Sequence, residues 1–175
     1  SYASAAALCR FPSTGGIGGT FFNLIDVVQG YTFVPNFLGA VSRKIHGAAG
    51  TFDIPLPSAG SPGIECRLGG GANGDMHQVV VSFATPVTFP FAAITSGSGT
   101  VLGTSVTGNE ITINFAAANA QTIALKLFGV NDGSGAGDLS IPISLLLGDA
   151  NASGTVNASD ISSTKAQSGS TTTDA

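Results

Sequence analysis

The sequence predicts an all-β fold: an antiparallel β-sandwich over residues 46–147, an apolar N-terminal arm over 1–45, and a loop, short helix and Ser/Thr-rich tail over 148–175. Three observations predict it. Short apolar or alternating runs recur between clusters of Gly, Pro, Asn, Asp and Ser, the pattern of brief strands joined by tight turns. β-Branched residues and Phe are plentiful, while charged residues make up only 9% of the chain. Thr122, Ala124 and Lys126 alternate with Ile123, Leu125 and Leu127, which sends one set to solvent and the other to a core.

The arm comes first. It is rich in Gly and large apolar groups, and the stretch 11–41 holds a single acid, Asp26. Phe21, Leu24, Ile25 and Val28 fit a helical stripe, whereas Phe22 and Leu24, then Tyr31, Phe33 and Phe37, fit short strands. The two templates tie. Phe21, Phe22, Leu24, Ile25, Val27 and Val28 are too apolar to remain in water, so the segment buries itself on its own domain or on a neighbouring copy. Cys9 and Cys66 are the two cysteines. In an extracellular protein an even pair points to one disulfide, with two buried thiols or an intermolecular bridge as the alternatives.

Strands are expected near Thr51–Leu56, Gly63–Leu68, His77–Ala84, Val87–Ile94, Thr100–Val106, Glu110–Phe115, Gln121–Val130 and Leu139–Leu147. The turns between them are Pro57 to Gly60, Gly69 to Asp75, Thr85-Pro86, Ser96 to Gly99, Thr107 to Asn109, and Asn131 to Asp138. The last of these is read as a long hairpin loop, with a second cation site as the alternative. Gly69-Gly70-Gly71 precedes neither Gly-Lys-Ser/Thr nor a helix, so it is a turn and not a phosphate cradle.

Residues 149–160 carry the most specific signal. Counting Asp149 as position one, oxygen-bearing side chains fall at one (Asp149), three (Asn151), five (Ser153), nine (Asn157) and twelve (Asp160). Gly154 stands at six, where an EF-hand-type loop makes its sharp turn, and Thr155 at seven would offer its carbonyl. Ca²⁺ is a hard cation that takes six to eight oxygens, and this spacing wraps a short loop around one ion. Asn157 would act through a water. Asn157 also suits a helix N-cap, with Asp160 at the third helical position and Ile161 opening the apolar side. With only Asp149 and Asp160 charged, the expected affinity is weak, roughly in the 10⁻⁴–10⁻³ M range of extracellular modules. Asn151-Ala152-Ser153 and Asn157-Ala158-Ser159 match the N-glycosylation pattern, but cation ligation accounts for the same residues.

The run LLLGDANASGTVNASDISSTKAQSG resembles one half of a type I dockerin repeat. That family favours Asp at position twelve, as here in Asp160. Two features depart from its pattern: dockerins carry two such halves, and position five is Ser153 in place of a carboxylate. The segments SRKIHGAAGTFDIPLP and GIECRLGG, with TIALKLFGVNDGSGAGDLSIPISLLLGDANASGT, resemble an Ig-like β-domain that precedes dockerin repeats in large secreted bacterial proteins. The resemblance covers roughly residues 41–167 and implies an Ig-like sandwich, calcium as cofactor and an extracellular, cell-surface location. It brings cohesin or a surface scaffold in as a partner, and it implies no reaction.

Net charge is −4, and the six basic residues are scattered, which argues against nucleic acid. No run of about twenty apolar residues marks a membrane span. The start, SYASAAAL, reads as a processed terminus or the remains of a signal cleavage region. For catalysis, His46 and His77 accompany no Gly-x-Ser-x-Gly elbow, and Asp53, Glu65, Asp75 and Glu110 stand without Trp, with Tyr only at 2 and 31. The chain therefore reads as non-enzymatic: a structural subunit that assembles with other copies of itself head to tail into a filament, or else a docking module for a cohesin.

Overall fold

The computed structural model describes residues 33–170. Among these described residues nine strands form in chain order: β1 (Phe37–Ile45), β2 (Thr51–Pro55), β3 (Gly63–Glu65), β4 (Met76–Phe83), β5 (Phe91–Ser96), β6 (Thr100–Thr107), β7 (Glu110–Ala116), β8 (Gln121–Asn131) and β9 (Ala136–Leu145). A 3-10 turn at Gly47–Ala49 joins β1 to β2, and one helix, α1 (Ala158–Ala166), follows the strands. A five-stranded sheet runs β2-β1-β4-β7-β6, and a four-stranded sheet runs β3-β9-β8-β5. The all-β sandwich with a C-terminal helix is thus the fold.

Alternation builds the core. Val79, Val81 and Phe83 of β4 and Ile111, Ile113 and Phe115 of β7 meet Ile123, Leu125 and Leu127 of β8 and Ile141, Ile143 and Leu145 of β9. All of them are out of water, each at alternate positions along its strand. Burying one such side chain stabilises by about 1.5–3 kcal/mol.

The structure departs from the sequence-based expectation in several places, including β3, which stops at Glu65 and not at Leu68, and β9, which opens at Ala136 and not at Leu139. Residues 37–45, read as part of the arm, form β1 between β2 and β4, so the sandwich begins at Phe37 and not at residue 46. Its fully buried residues are the small Ala40 and Ser42, and Phe37 packs on the core only across a register shift at Gly39, which leaves no apolar period to read. The strand expected at Val87–Ile94 starts instead at Phe91, and only Thr88 bridges earlier, to Asn131. Pro86 and Pro90 flank that stretch, and neither can donate to a ladder. The sheets are also not wholly antiparallel: β3 pairs β9 in parallel, Gly63 opposite Ile143 and Glu65 opposite Leu145. Among the described residues, no helix is long and apolar enough to cross a membrane.

Candidate calcium loop

The loop hangs from the parallel β3–β9 pair. The amide of Leu146 donates to the Glu65 carbonyl at 3.0 Å, and that of Gly148 to the Cys66 carbonyl at 3.0 Å. The Leu147 amide donates to the Asn119 side chain at 2.7 Å. Asp149 therefore enters the loop from a fixed base, with its carboxylate only 1% exposed.

Asp149 then organises the first half. Its Oδ2 accepts the Gly154 amide at 2.7 Å and its Oδ1 accepts the Ser153 amide at 2.9 Å. Asn151 Oδ1 accepts the same Ser153 amide at 3.0 Å, so these two side-chain oxygens share one donor and lie together. Ser153 Oγ lies 3.4 Å from Asp149 Oδ1 and 3.0 Å from the Thr155 carbonyl oxygen. Oxygens held 2.3–2.6 Å from one cation stand roughly 3 Å apart, so the separations suit a shared ion. Gly154 has φ +82°, the left-handed turn that position six requires. Ala152 also adopts φ +55°, a strained choice for a residue with a Cβ.

Asp160 organises the second half. Its carboxylate, 3% exposed, accepts the Asn151 amide at 3.2 Å and the Asn157 amide at 2.8 Å. These backbone donors, the Asn157 amide foremost, hold its carboxyl below the usual aspartate range. Asn157 completes a capping box at the start of α1, its Oδ1 accepting the Ser159 amide at 2.8 Å. That oxygen is spent on the helix, and Asn157 Nδ2 donates to Thr155 Oγ1 at 3.2 Å. A contribution from Asn157 to a cation would thus run through a bridging water, as position nine commonly does.

The residues fit a calcium ion. Asp149, Asn151 and Ser153 supply side-chain oxygens, Thr155 supplies a carbonyl, and Asp160 adds a second carboxylate from the far end of the loop. Carboxylate oxygens that accept one amide keep lone pairs for a cation. Bound there, the ion would neutralise Asp149 and Asp160 and tie α1 to the base of the sandwich. Among the described residues, no group of three or more His, Cys, Asp or Glu side chains is placed to hold a metal; this loop depends on amide, hydroxyl and carbonyl oxygens.

The stretch from Asn131 to Asp138, expected as a loop, holds only the short connection 132–135 between β8 and β9, and it differs from the Asp149 loop. Asp132 accepts the Asn36 amide at 3.1 Å, the Asn36 side-chain NH₂ at 3.0 Å and the Ser134 amide at 3.0 Å. Asp138 accepts the Gly129 amide at 2.9 Å and pairs with Lys126 at 2.9 Å. Asp132 thus anchors the Asn36 segment and Lys126 neutralises Asp138, roles that fit a hairpin connection.

Sequence reasoning missed a buried ion pair near the loop's base. Glu65 is 3% exposed and pairs with Arg67, which donates to it from its amide at 2.8 Å, Nε at 2.9 Å and Nη2 at 2.7 Å. Ser42 Oγ donates to the same carboxylate, while Arg67 also reaches the carbonyls of Phe52 and Ser42, each at 2.8 Å. Burial pushes the Glu65 carboxyl up, but the Arg67 and Ser42 hydrogen bonds outweigh it and hold it below its ordinary value. The cluster ties β3 of one sheet to β1 of the other. The only trace in the sequence is the Glu65-x-Arg67 spacing, which exposed ion pairs share. His77 is half-buried and stacks on Phe115 with ring centroids 5.5 Å apart. Asp53 pairs with Arg43 at 2.7 Å on the surface.

Cys66 is half-buried, and burial raises its thiol pKa. Cys9, its expected disulfide partner, lies outside the described residues, as do Phe21, Phe22, Leu24, Ile25, Val27 and Val28 of the arm. No protein-family model, no curated protein and no solved structure matches the chain.

Proposed function

We propose that the chain is a non-enzymatic extracellular structural protein, a self-assembling subunit of a bacterial cell-surface filament whose C-terminal segment is ordered by calcium. The observation that carries this reading is the Asp149–Asp160 loop. Two buried carboxylates and converging neutral oxygens sit on backbone hydrogen bonds to Glu65 and Cys66, so an ion there acts on the angle between sandwich and tail. The titratable groups nearest the loop serve structure: Glu65 is consumed by Arg67 and Ser42. Low charge favours secretion, as does the dockerin-like wording of residues 145–169. A heterologous contact that does not close on itself generates a filament, and the apolar arm supplies a segment able to make one by adding a strand to a neighbour.

Electron microscopy of the natively isolated protein, with calcium and after chelation, tests the reading. Ordered filaments that dissociate on chelation support a calcium-dependent subunit. Discrete particles in both conditions contradict it.

A second reading, a dockerin-type docking module for a cohesin or surface scaffold, draws on one specific feature. Val156 and Ile161 are 53% and 59% exposed and border a groove of about 650 Å³ with Gly148, Thr164 and Ser168. Binding to a cohesin panel that is lost with chelator would favour it over the filament.

A further inference from the structure

Beside the base of the calcium loop lies a cavity of about 310 Å³, at the small end of the range that small-molecule sites occupy, about 300–1,000 Å³. Leu68, Leu145 and Leu147 give it apolar walls. Asn73, Asp75, His77 and Asn119 bring polar groups to it. A few polar groups converging between apolar walls are the usual make-up of a ligand pocket.

The Gly-rich run builds one rim. The Gly69 amide donates to the Gly74 carbonyl at 2.8 Å, and the Gly70 amide to the Met76 carbonyl at 2.7 Å. A Cβ on Gly69 would lie 2.6 Å from the Met76 carbonyl oxygen and 2.7 Å from that of Gly74, so the chain folds back this closely only with Gly there. The fold-back sets Asn73 and Asp75 on the cavity, and the Asp75 carbonyl is pinned by the Ala117 amide at 3.0 Å. His77 follows two residues later, its ring fixed by stacking on Phe115. The opposite rim is the connection from β7 to β8. Asn119 Oδ1 accepts the Leu147 amide at 2.7 Å, which leaves its NH₂ to donate elsewhere. Ala120, next to it, holds φ +61°, and backbone strain of that kind collects at ligand sites.

Charge selects the ligand. Glu65, Arg67, Asp75 and His77 are the titratable groups on the cavity. Glu65 and Arg67 neutralise each other, and Arg67 turns its NH groups onto Glu65, Phe52 and Ser42. Burial lowers the His77 pKa, so near pH 7 its ring is neutral and can both donate and accept. Asp75 remains as the net charge. Among the described residues the ion pairs are Arg43–Asp53, Arg67–Glu65 and Lys126–Asp138, and Asp75 joins none of them. Nor, among these residues, are Glu65, Asp75 and His77 placed to share a metal ion. One carboxylate among neutral amides and an imidazole suits an organic molecule with one positive charge and several hydroxyls, since hydrogen bonds to an ionised partner are the strong ones. An anion would meet Asp75 as a like charge.

We propose that this cavity binds a small hydroxylated amine in its protonated form, with the ammonium on Asp75 and the hydroxyls on Asn73, His77 and Asn119. Neither the calcium reading nor the filament reading is needed for it.

Amide shift mapping by NMR on the full chain, in buffer containing calcium, tests the proposal with three probes that share one ring: glucosamine, glucose and glucuronate. Glucosamine is expected to shift the amides of Asn73, Asp75, His77, Asn119 and Leu147 saturably, with an affinity about tenfold above that of glucose. Glucuronate should leave them unmoved. Asp75→Asn should bring glucosamine down to the level of glucose, whereas Glu110→Gln, which removes an acid that does not line the cavity, should change nothing. Ala118→Trp, at an exposed position on the cavity, should abolish binding while the thermal melt stays unchanged. Three results overturn the proposal: no saturable shift at these amides with glucosamine, glucose or glucuronate binding as tightly as glucosamine, or an Asp75→Asn chain that binds glucosamine like the unaltered one.

Discussion

Asp160 reaches back across the loop to accept the amide of Asn151 at 3.2 Å while its other oxygen takes the amide of Asn157 at 2.8 Å. One carboxylate thus ties the loop's entry to the start of α1. Asp149 makes the matching clamp on Ser153 and Gly154. A cation bound in the first half would replace the Ser153 hydroxyl as the link between Asp149 and the Thr155 carbonyl.

Asp149→Ala removes the acceptor for two loop amides and, on the proposed reading, a calcium ligand. Calcium affinity is expected to fall by about tenfold or more, and exchange at Ser153 and Gly154 to speed up. The melting temperature of the sandwich should hold, because the Asp149 carboxylate takes its hydrogen bonds from Ser153 and Gly154 within the loop. Calorimetric titration and a thermal melt on the same variant check both halves of this expectation.

Arg67→Met leaves Glu65 buried without its partner. Breaking a buried pair from one side costs about 3–5 kcal/mol, so the urea midpoint should drop sharply. Changing both residues, Glu65→Leu with Arg67→Met, should recover much of the loss. A double variant as unstable as the single one would mean that the cluster acts through shape and not through charge.

Two groups give stability a pH dependence in different windows. The folded Glu65 carboxyl sits below its unfolded value, so its contribution is fully present above the ordinary glutamate range and is lost as pH falls through the folded pKa. Burial lowers the His77 pKa, so folding disfavours its protonation. That destabilisation begins as pH falls through the ordinary histidine value and grows down to the folded one. Denaturation midpoints across pH should therefore show a shallow loss near neutrality, absent in His77→Phe, and a steeper one in acid.

Gly63→Ala tests the close approach of β3 to β2. A Cβ there would lie 2.8 Å from both Leu56 Cδ2 and the Pro55 carbonyl oxygen. Overpacking of this kind costs about 1–3 kcal/mol, read as a lower denaturation midpoint with spectra otherwise unchanged.

Much of this was legible in the sequence where chemistry is periodic. Ile123, Leu125 and Leu127 announce β8 by alternation, and Ile111, Ile113 and Phe115 do the same for β7. The cap at Asn157 and the turn at Gly154 follow from residue type at fixed spacing. β1 escaped because Ala40 and Ser42 face the core, and small side chains carry no hydrophobic period. The parallel β3–β9 pair escaped because register between strands far apart in sequence leaves no local mark. Glu65 escaped for a related reason: its burial depends on Ser42, which comes from β1 of the other sheet.

Amide exchange across the chain, with calcium and after chelation, tests the central claim most directly. The account predicts that calcium slows exchange at Asn151, Ser153, Gly154 and Asn157 and through α1, that chelation removes this protection, and that Val79–Val81 in β4 exchange equally slowly in both states. Equal exchange at residues 149–166 with and without calcium would contradict it.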